Sequence, residues 1–532
     1  MLNLKRIKPL VIPLMICLIL VTVVSGASPI YKTNQWNDTN AMLTMGRSLL
    51  QGTIPMKDIV DQRGPIMYFI YAFAALIKSN SFLGLYIIEL INVFIIYALS
   101  FKLVKAVNVE TMSPYWVSLV GPVALLTTSA FSQGGSPEEF GFASVLYLLV
   151  VLGTARENVT HIRPGTYYLL GLNMSLLFWS KYTLAGSYVF FFLTVGILLL
   201  WKLDFKQLFK VIIFSLLGFL TITALVLSFY IAVHGLNGLI DYYFVQNLTG
   251  YTTPVYNGLV QQNNIISKSM FIAIQIARML WSHWIILLII LTSWFISIKN
   301  SRPIIIEMVT FIGSLVFITI GAAIMHYYAL IIMSYFAVAL IFLIKYLPYV
   351  VDKNTTQQSM FTFKFLTAFC ILLMPFINNS NILNYVVRGT TTSINGENQW
   401  KAQRKFAKRM HKGYDKPTLL QVNSLDGGFY LAADIIPTTK YFHRLNMNYD
   451  QFPKMYDDLQ ESLATKKTDF VVVRVKNNNL DESDSNAMLK RKALRQVDEH
   501  LRPDLSQNYK VVDKEQDTFN KPMYYVLFEK VD

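Results

Sequence analysis

The chain has 532 residues, 54% hydrophobic and only 15% charged, with 47 Lys and Arg against 32 Asp and Glu. A soluble domain carries about a quarter charged residues, whereas here apolar runs of about 20 residues recur up to about position 380, each long enough to cross the bilayer core. A soluble protein is excluded, and the formal charge of +15 reads as loop charge that sets topology and meets anionic headgroups, not as a nucleic-acid surface.

In chain order, Lys5, Arg6 and Lys8 precede an apolar stretch at 9–24. A basic head and small residues at the end also describe a secretory signal peptide. The length of the stretch and the spans that follow favour an uncleaved first helix with a cytoplasmic N-terminus. The acidic segment 35–73 then lies outside. The apolar run 65–77 is too short to span comfortably, and counting it as a span would send Lys102 and Lys105 outward. It therefore reads as a re-entrant or interfacial helix on the outer face. Runs at 82–101, 114–131, 141–154, 167–179, 184–201, 211–233, 271–298, 303–323, 327–344 and 365–377 continue the alternation, with a long outer loop at 234–269. With the first helix they give about eleven spans, N-terminus in and C-terminus out. Cys17 and Cys370 both sit in apolar segments far apart, so neither a disulfide framework nor a cysteine metal site is expected.

After Asn378 charges become dense and long apolar runs stop. "WKAQRKFAKRMHKG" has helical spacing, and "TLLQVN", "DFVVVRV", "YKVVDKE" and "MYYVLFEK" read as strands. The expected architecture is a polytopic α-helical membrane domain over 1–378, containing an acidic outer loop at 28–81, and an extracellular α/β domain over 379–532.

The acidic loop holds the candidate chemistry. "NDTNAMLTMGRSLLQG" places Met42, Met45 and Leu49 on one helical face, with Gly52 at the C-terminal end. This predicts a short helix lying apolar side down on the membrane. Asp38 is either its N-cap or a reactive carboxylate. Asp58 and Asp61 are solvated loop residues or further carboxylates of a site. Arg63, before Gly64-Pro65, either anchors to lipid or faces a substrate phosphate, while a carboxylate accepts the acceptor's proton. Elsewhere, His326, Tyr327 and Tyr328 read as an interfacial aromatic belt or as donor contacts. Lys181, near a helix end, reads as a snorkelling residue. Glu138 and Glu139 cap a helix or act in the site. Glu89, inside an apolar run, serves function or interhelical hydrogen bonding.

These stretches together resemble the C-type (GT-C) glycosyltransferases, in the branch with protein O-mannosyltransferases and the aminoarabinose transferases of lipid A. The resemblance rests on Asp38 after the first span, "GTIPMKD" from Gly52 to Asp58, "RGPIMYFIYAF", "SPEEFGFA", "FWSKYTLAG", "MHYYALIIMSYFAVA" and "LDGGFYLAADIIPTTKYF". It covers nearly the whole chain. Many relatives have Asp-Glu where this chain has Asp38-Thr39, so a second carboxylate has to come from Asp58, Asp61 or Glu138. Arg63 stands where lysine is usual, and Met56 where tyrosine is. The resemblance implies inverting sugar transfer from a polyprenyl-phosphate donor to an envelope acceptor (teichoic acid, polysaccharide, lipid or protein) at the outer face of the plasma membrane. Asp38 would be general base, Arg63 the phosphate contact, and Lys181, His326, Tyr327 and Glu138 donor contacts. No cofactor is implied; some C-type enzymes use a divalent cation, but this branch generally does not. The rival readings are a transporter or flippase, which would need polar groups near the midplane, and a non-catalytic scaffold displaying the outer domain.

Overall fold

The computed structural model describes residues 4–251 except 32, 111 and 132, then 255–256, 259–260, 265–298, 302–321, 325–351, scattered positions between 362 and 374, and 400–476, 485–517 and 523–531. The expected boundary at 378/379 and most of the expected span 365–377 lie outside the described residues. The chain divides into two compact units. One comprises Met1–Ser25, Ile87–Val226 and Gln262–Leu383; the other comprises Gly26–Tyr86, Leu227–Gln261 and Asn384–Asp532.

The first unit is built of apolar helices. Among the described residues of the whole chain, four helices are long and apolar enough to cross a membrane: Leu83–Val107, Pro137–Ala155, Phe205–Ala232 and His326–Tyr346. Shorter apolar helices lie at Pro9–Val24, Pro65–Ile77, Pro114–Thr127, Gly186–Trp201 and Ile304–Ile318. Phe205–Ala232 crosses Pro164–Ser180 closely because both carry glycine at the crossing. A Cβ on Gly171 would meet the Ser215 carbonyl oxygen at 1.9 Å, and one on Gly218 the Tyr168 carbonyl oxygen at 1.9 Å. Small residues at such crossings let backbones approach in a setting where lipid supplies no hydrophobic drive.

Two expectations about these helices need correction. The run 271–298 is not one straight helix: Lys268–Ser282 and Trp284–Ser297 meet at an angle of 86°. At the corner the Met279 carbonyl accepts the His283 backbone N–H at 3.2 Å and also the Ser282 hydroxyl at 2.9 Å, a side-chain back-bond of the kind that bends helices. The outer loop at 234–269 is also partly helical, with π-helical turns at Leu239–Val245 and Asn247–Tyr251.

The second unit joins the acidic loop to the C-terminal segment. Its sheet contains β1 (Leu419–Gln421), β2 (Phe470–Lys476), β3 (Tyr509–Gln516) and β4 (Met523–Lys530), in the order β1-β2-β4-β3. The β1–β2 pair is parallel (Leu420 opposite Val471), and the other two pairs are antiparallel. All four strands fall on the segments read as strands, and the helix Lys401–His411 falls on its basic stretch. That helix buries Phe406 against Phe429, whose ring meets Tyr525 of β4 edge-on at 4.9 Å.

The helix Asn37–Leu50 does not lie apolar side down on a membrane. It is buried in protein from Thr39 to Ser48, Met42 and Met45 included. One reason is the Pro65–Ile77 helix, which packs so closely that a Cβ on Gly46 would meet the Tyr71 carbonyl carbon at 2.4 Å. The other is that its polar face finds fixed partners: Thr44 Oγ1 donates to Asp426 at 2.7 Å, and Arg47 pairs with Asp434. Amphipathicity reports two chemically different faces, and here both are covered by protein.

Candidate active site

Asp38 sits in the first turn of Asn37–Leu50, and Trp36 occupies the N-cap position without a side-chain bond. The cap reading of Asp38 therefore fails. Its carboxylate lies at the positive end of the helix dipole, with Oδ1 2.7 Å from Arg63 Nη2.

The loop carrying Arg63 is held by its backbone. Val60 N–H donates to the Lys440 carbonyl at 2.9 Å, and Asn247 Nδ2 donates to the Gln62 carbonyl at 3.1 Å. Gly64 then ends the loop and Pro65 opens the next helix at its N1 position, where a missing N–H costs nothing. Arg63 Nη1 reaches Asp61 Oδ2 at 2.6 Å, and the Arg63 backbone N–H donates to Asp61 Oδ1 at 3.1 Å. The buried Tyr68 donates its hydroxyl to the Arg63 carbonyl at 2.7 Å. The planar guanidinium thus divides its two terminal nitrogens between two carboxylates, a geometry that a lysine ammonium cannot reproduce.

The two carboxylates differ in access. The Asp61 side chain is fully buried, whereas Asp38 is 16% and Arg63 13% exposed. A substrate group approaching this cluster meets Asp38 and Arg63. Asp58 is not in the cluster: it is exposed, and its Oδ2 accepts the Ile54 N–H at 2.7 Å, closing its own loop. Of Asp58 and Asp61, the two aspartates weighed as the second carboxylate, the structure brings Asp61 to Asp38, through Arg63.

His443 completes the cluster and was not anticipated. It follows directly on "TTKYF", the end of a stretch that carried the family resemblance, and that adjacency was its one sequence signal. The imidazole is fully buried with Nε2 3.7 Å from Asp61 Oδ2, beyond a hydrogen bond. Nδ1 accepts the Asp426 backbone N–H at 3.3 Å. Burial pushes the imidazole down to about 4; Arg63 adds to this, while Asp61 and Asp38 pull the other way. Asp426, also missed, is buried. Its carboxylate accepts from Thr44, from Gln421 Nε2 at 3.0 Å and from the Gly428 N–H at 2.9 Å. Burial nevertheless leaves it raised above the ordinary carboxylate range.

The remaining candidates belong to the first unit. Lys181 Nζ pairs with the buried Glu138 Oε1 at 2.6 Å and lies 3.7 Å from the Tyr328 ring centre and 5.8 Å from that of Tyr327. Lys181 is thus held by a carboxylate and an aromatic face, which goes beyond snorkelling. Capping falls to Ser136 and Glu139: Ser136 Oγ accepts the Glu139 N–H at 3.0 Å, and Glu139 Oε2 accepts the Gly135 N–H at 2.6 Å. Glu89 accepts a hydrogen bond from Ser25, as an interhelical role requires. His326 is exposed at the start of a short 3-10 turn, its ring 5.5 Å from that of Tyr327. Among the described residues no group of three or more His, Cys, Asp or Glu is arranged to hold a metal ion.

No family model matches the chain, and no curated protein does. Solved structures do. Similarity is found to ArnT from Cupriavidus metallidurans bound to undecaprenyl phosphate, with 10% identity and a TM-score of 0.54, over 99% of this chain and 98% of ArnT. The apo form of the same protein gives 11% identity and a TM-score of 0.53, over 98% and 97%. The chain is a polytopic helical membrane protein with the fold of ArnT over nearly its full length.

Proposed function

We propose that this protein is a glycosyltransferase that moves a sugar from a polyprenyl-phosphate donor to a cell-envelope acceptor at the outer face of the plasma membrane. The acceptor class is a teichoic acid, another polysaccharide, a lipid or a protein. The observation that carries the reading is the division of the Arg63 guanidinium between Asp38 and Asp61. A phosphate oxygen is the kind of third anion that competes for such a fork, and the displaced Asp38 is then a carboxylate ready to accept a proton. The ArnT fold and the undecaprenyl phosphate bound to ArnT support the donor class.

In the proposed reaction the acceptor hydroxyl oxygen bonds to the anomeric carbon as the bond from that carbon to the phosphate oxygen breaks. Attack from the opposite side inverts the anomeric centre. The hydroxyl proton passes to Asp38, and the polyprenyl phosphate leaves with the electron pair, its added negative charge facing Arg63. Asp61 is too buried to meet an acceptor and orients Arg63 instead. The proposed topology has about eleven spans, with the second unit on the outer side. No divalent cation takes part in the proposal, so chelation should leave transfer unchanged.

The test compares lipid-linked sugars and envelope glycans in a strain lacking the protein, in its parent, and in a strain carrying Asp38→Asn. Accumulation of one polyprenyl-phosphate sugar, with loss of one envelope sugar, is expected in the first and third. An unchanged envelope and no accumulated lipid in the deletion strain overturn the reading.

A further inference from the structure

Asp61 has two partners within reach, one engaged and one held short. Arg63 Nη1 holds Oδ2 at 2.6 Å, and His443 Nε2 points at the same oxygen from 3.7 Å. With Nδ1 accepting from the Asp426 backbone, a neutral imidazole carries its proton on Nε2. That nitrogen is buried and has no hydrogen-bond partner among the described residues. The histidine is not loose. Its backbone bridges Gln421 in parallel register, and its ring lies 4.0 Å from that of Phe442. A buried donor left unmade is costly, and this one is aimed at the carboxylate that loses its cation in the proposed reaction.

We propose that His443 is the reserve partner of Asp61: when Arg63 turns to the lipid phosphate, Nε2–H of the neutral imidazole closes on Asp61 Oδ2 and takes the place of the guanidinium. The inference rests on the reading of Arg63 as the phosphate contact. The charges account for the direction. In the free cluster one guanidinium faces two carboxylates, Asp38 and Asp61, beside a neutral imidazole. An arriving phosphate draws off that cation and leaves Asp61 Oδ2 short of a donor, which the imidazole supplies while Nδ1 keeps the Asp426 N–H. The groups acting on the imidazole are Asp61, Arg63 and Asp38 of the acidic loop. Asp426 faces it through its backbone N–H, with its carboxylate engaged by Thr44, Gln421 and Gly428. His443 is thus a positioning residue: it steadies Asp61 while Arg63 serves the substrate.

Calorimetric titration of the full chain in nanodiscs with undecaprenyl phosphate at pH 7 compares wild type with His443→Gln, which keeps an N–H donor, and with His443→Phe, which does not. His443→Gln should bind within about threefold of wild type and His443→Phe about tenfold more weakly. Should a variant fail to fold, NMR of histidine-labelled wild type, free and bound, supplies the same information: the His443 Nε2–H proton should move downfield as its hydrogen bond to Asp61 forms. Binding by His443→Phe as tight as by His443→Gln, or an unmoved Nε2–H signal, overturns the inference. Failure of the Arg63 reading looks different: folded Arg63→Ala would then bind undecaprenyl phosphate as tightly as wild type.

Discussion

Thr44 and Asp426, 382 positions apart in the chain, share a 2.7 Å hydrogen bond closed off from solvent. Asp426 also gives its backbone N–H to His443, so one residue fixes both the helix that carries Asp38 and the imidazole beside Asp61. Thr44→Val removes the donor and leaves a buried carboxylate oxygen short of a partner. The expected loss is about 1–3 kcal/mol, read as a lower thermal midpoint in detergent, with Thr44→Ser close to wild type.

Asp38 and Asp58 should separate cleanly. Asp38→Asn is expected to lower the rate of sugar transfer roughly 10²- to 10⁴-fold without changing the thermal midpoint much. Asp58→Asn, which touches only its own loop through Ile54, should transfer at close to the wild-type rate. A single-turnover assay with a labelled lipid-linked sugar checks both.

Arg63→Lys keeps the charge but cannot bond Asp38 and Asp61 with the paired Nη1 and Nη2 atoms of a planar fork. Partial activity is expected, with undecaprenyl phosphate bound roughly tenfold more weakly. Arg63→Ala should lower transfer by roughly 10²- to 10³-fold, the range found when one charge-stabilising donor is removed.

His443 gives a pH dependence whose sign follows from its depressed titration. A histidine at about 4 in the folded chain and 6.5 when unfolded contributes stability that is present above pH 6.5. That stability is lost as the pH falls through 4, by up to ~3 kcal/mol. Asp426, raised by burial, acts in the opposite sense: its contribution is fully present below its ordinary value of 3.8 and lost as pH rises through its folded-state value. Thermal midpoints measured at pH 7 and pH 5 should therefore fall in wild type by more than in His443→Gln.

Lys181→Met strands the fully buried Glu138 carboxylate. Breaking a buried pair from one side costs about 3–5 kcal/mol, whereas removing both charges is often close to neutral. The apparent midpoint of Lys181→Met should drop sharply and recover in Lys181→Met/Glu138→Gln.

What was legible in the sequence followed local rules. The Pro65–Ile77 helix was readable at its observed ends because Pro65 fits a first helical turn and the apolar run stops at Lys78. The strand Met523–Lys530 matched the segment "MYYVLFEK" because its apolar and aromatic run is bounded by charges and by a proline. The bend at His283 was hidden, since apolar residues flank it on both sides and a hydropathy count does not register a side-chain bond back to the helix backbone. Within the site, Asp38 and Arg63 stood out because they are charged groups next to apolar runs. His443 and Asp426 did not, because their roles depend on contacts with residues hundreds of positions away, and spacing along one segment carries no trace of those.

The Thr44–Asp426 bond also sets an order of events during synthesis. The helix bearing Asp38 emerges with the first loop, and Asp426 follows Thr44 only 382 residues later. At translation rates of about 5–20 residues per second, the interval between the two is roughly 20 to 80 s. Throughout that time Thr44 and Arg47 have neither Asp426 nor Asp434 to bond. A nascent chain stalled before this segment would carry the first-loop carboxylates in an unfinished setting. Maturation of the cluster therefore waits on synthesis of the segment that carries Asp426 and His443.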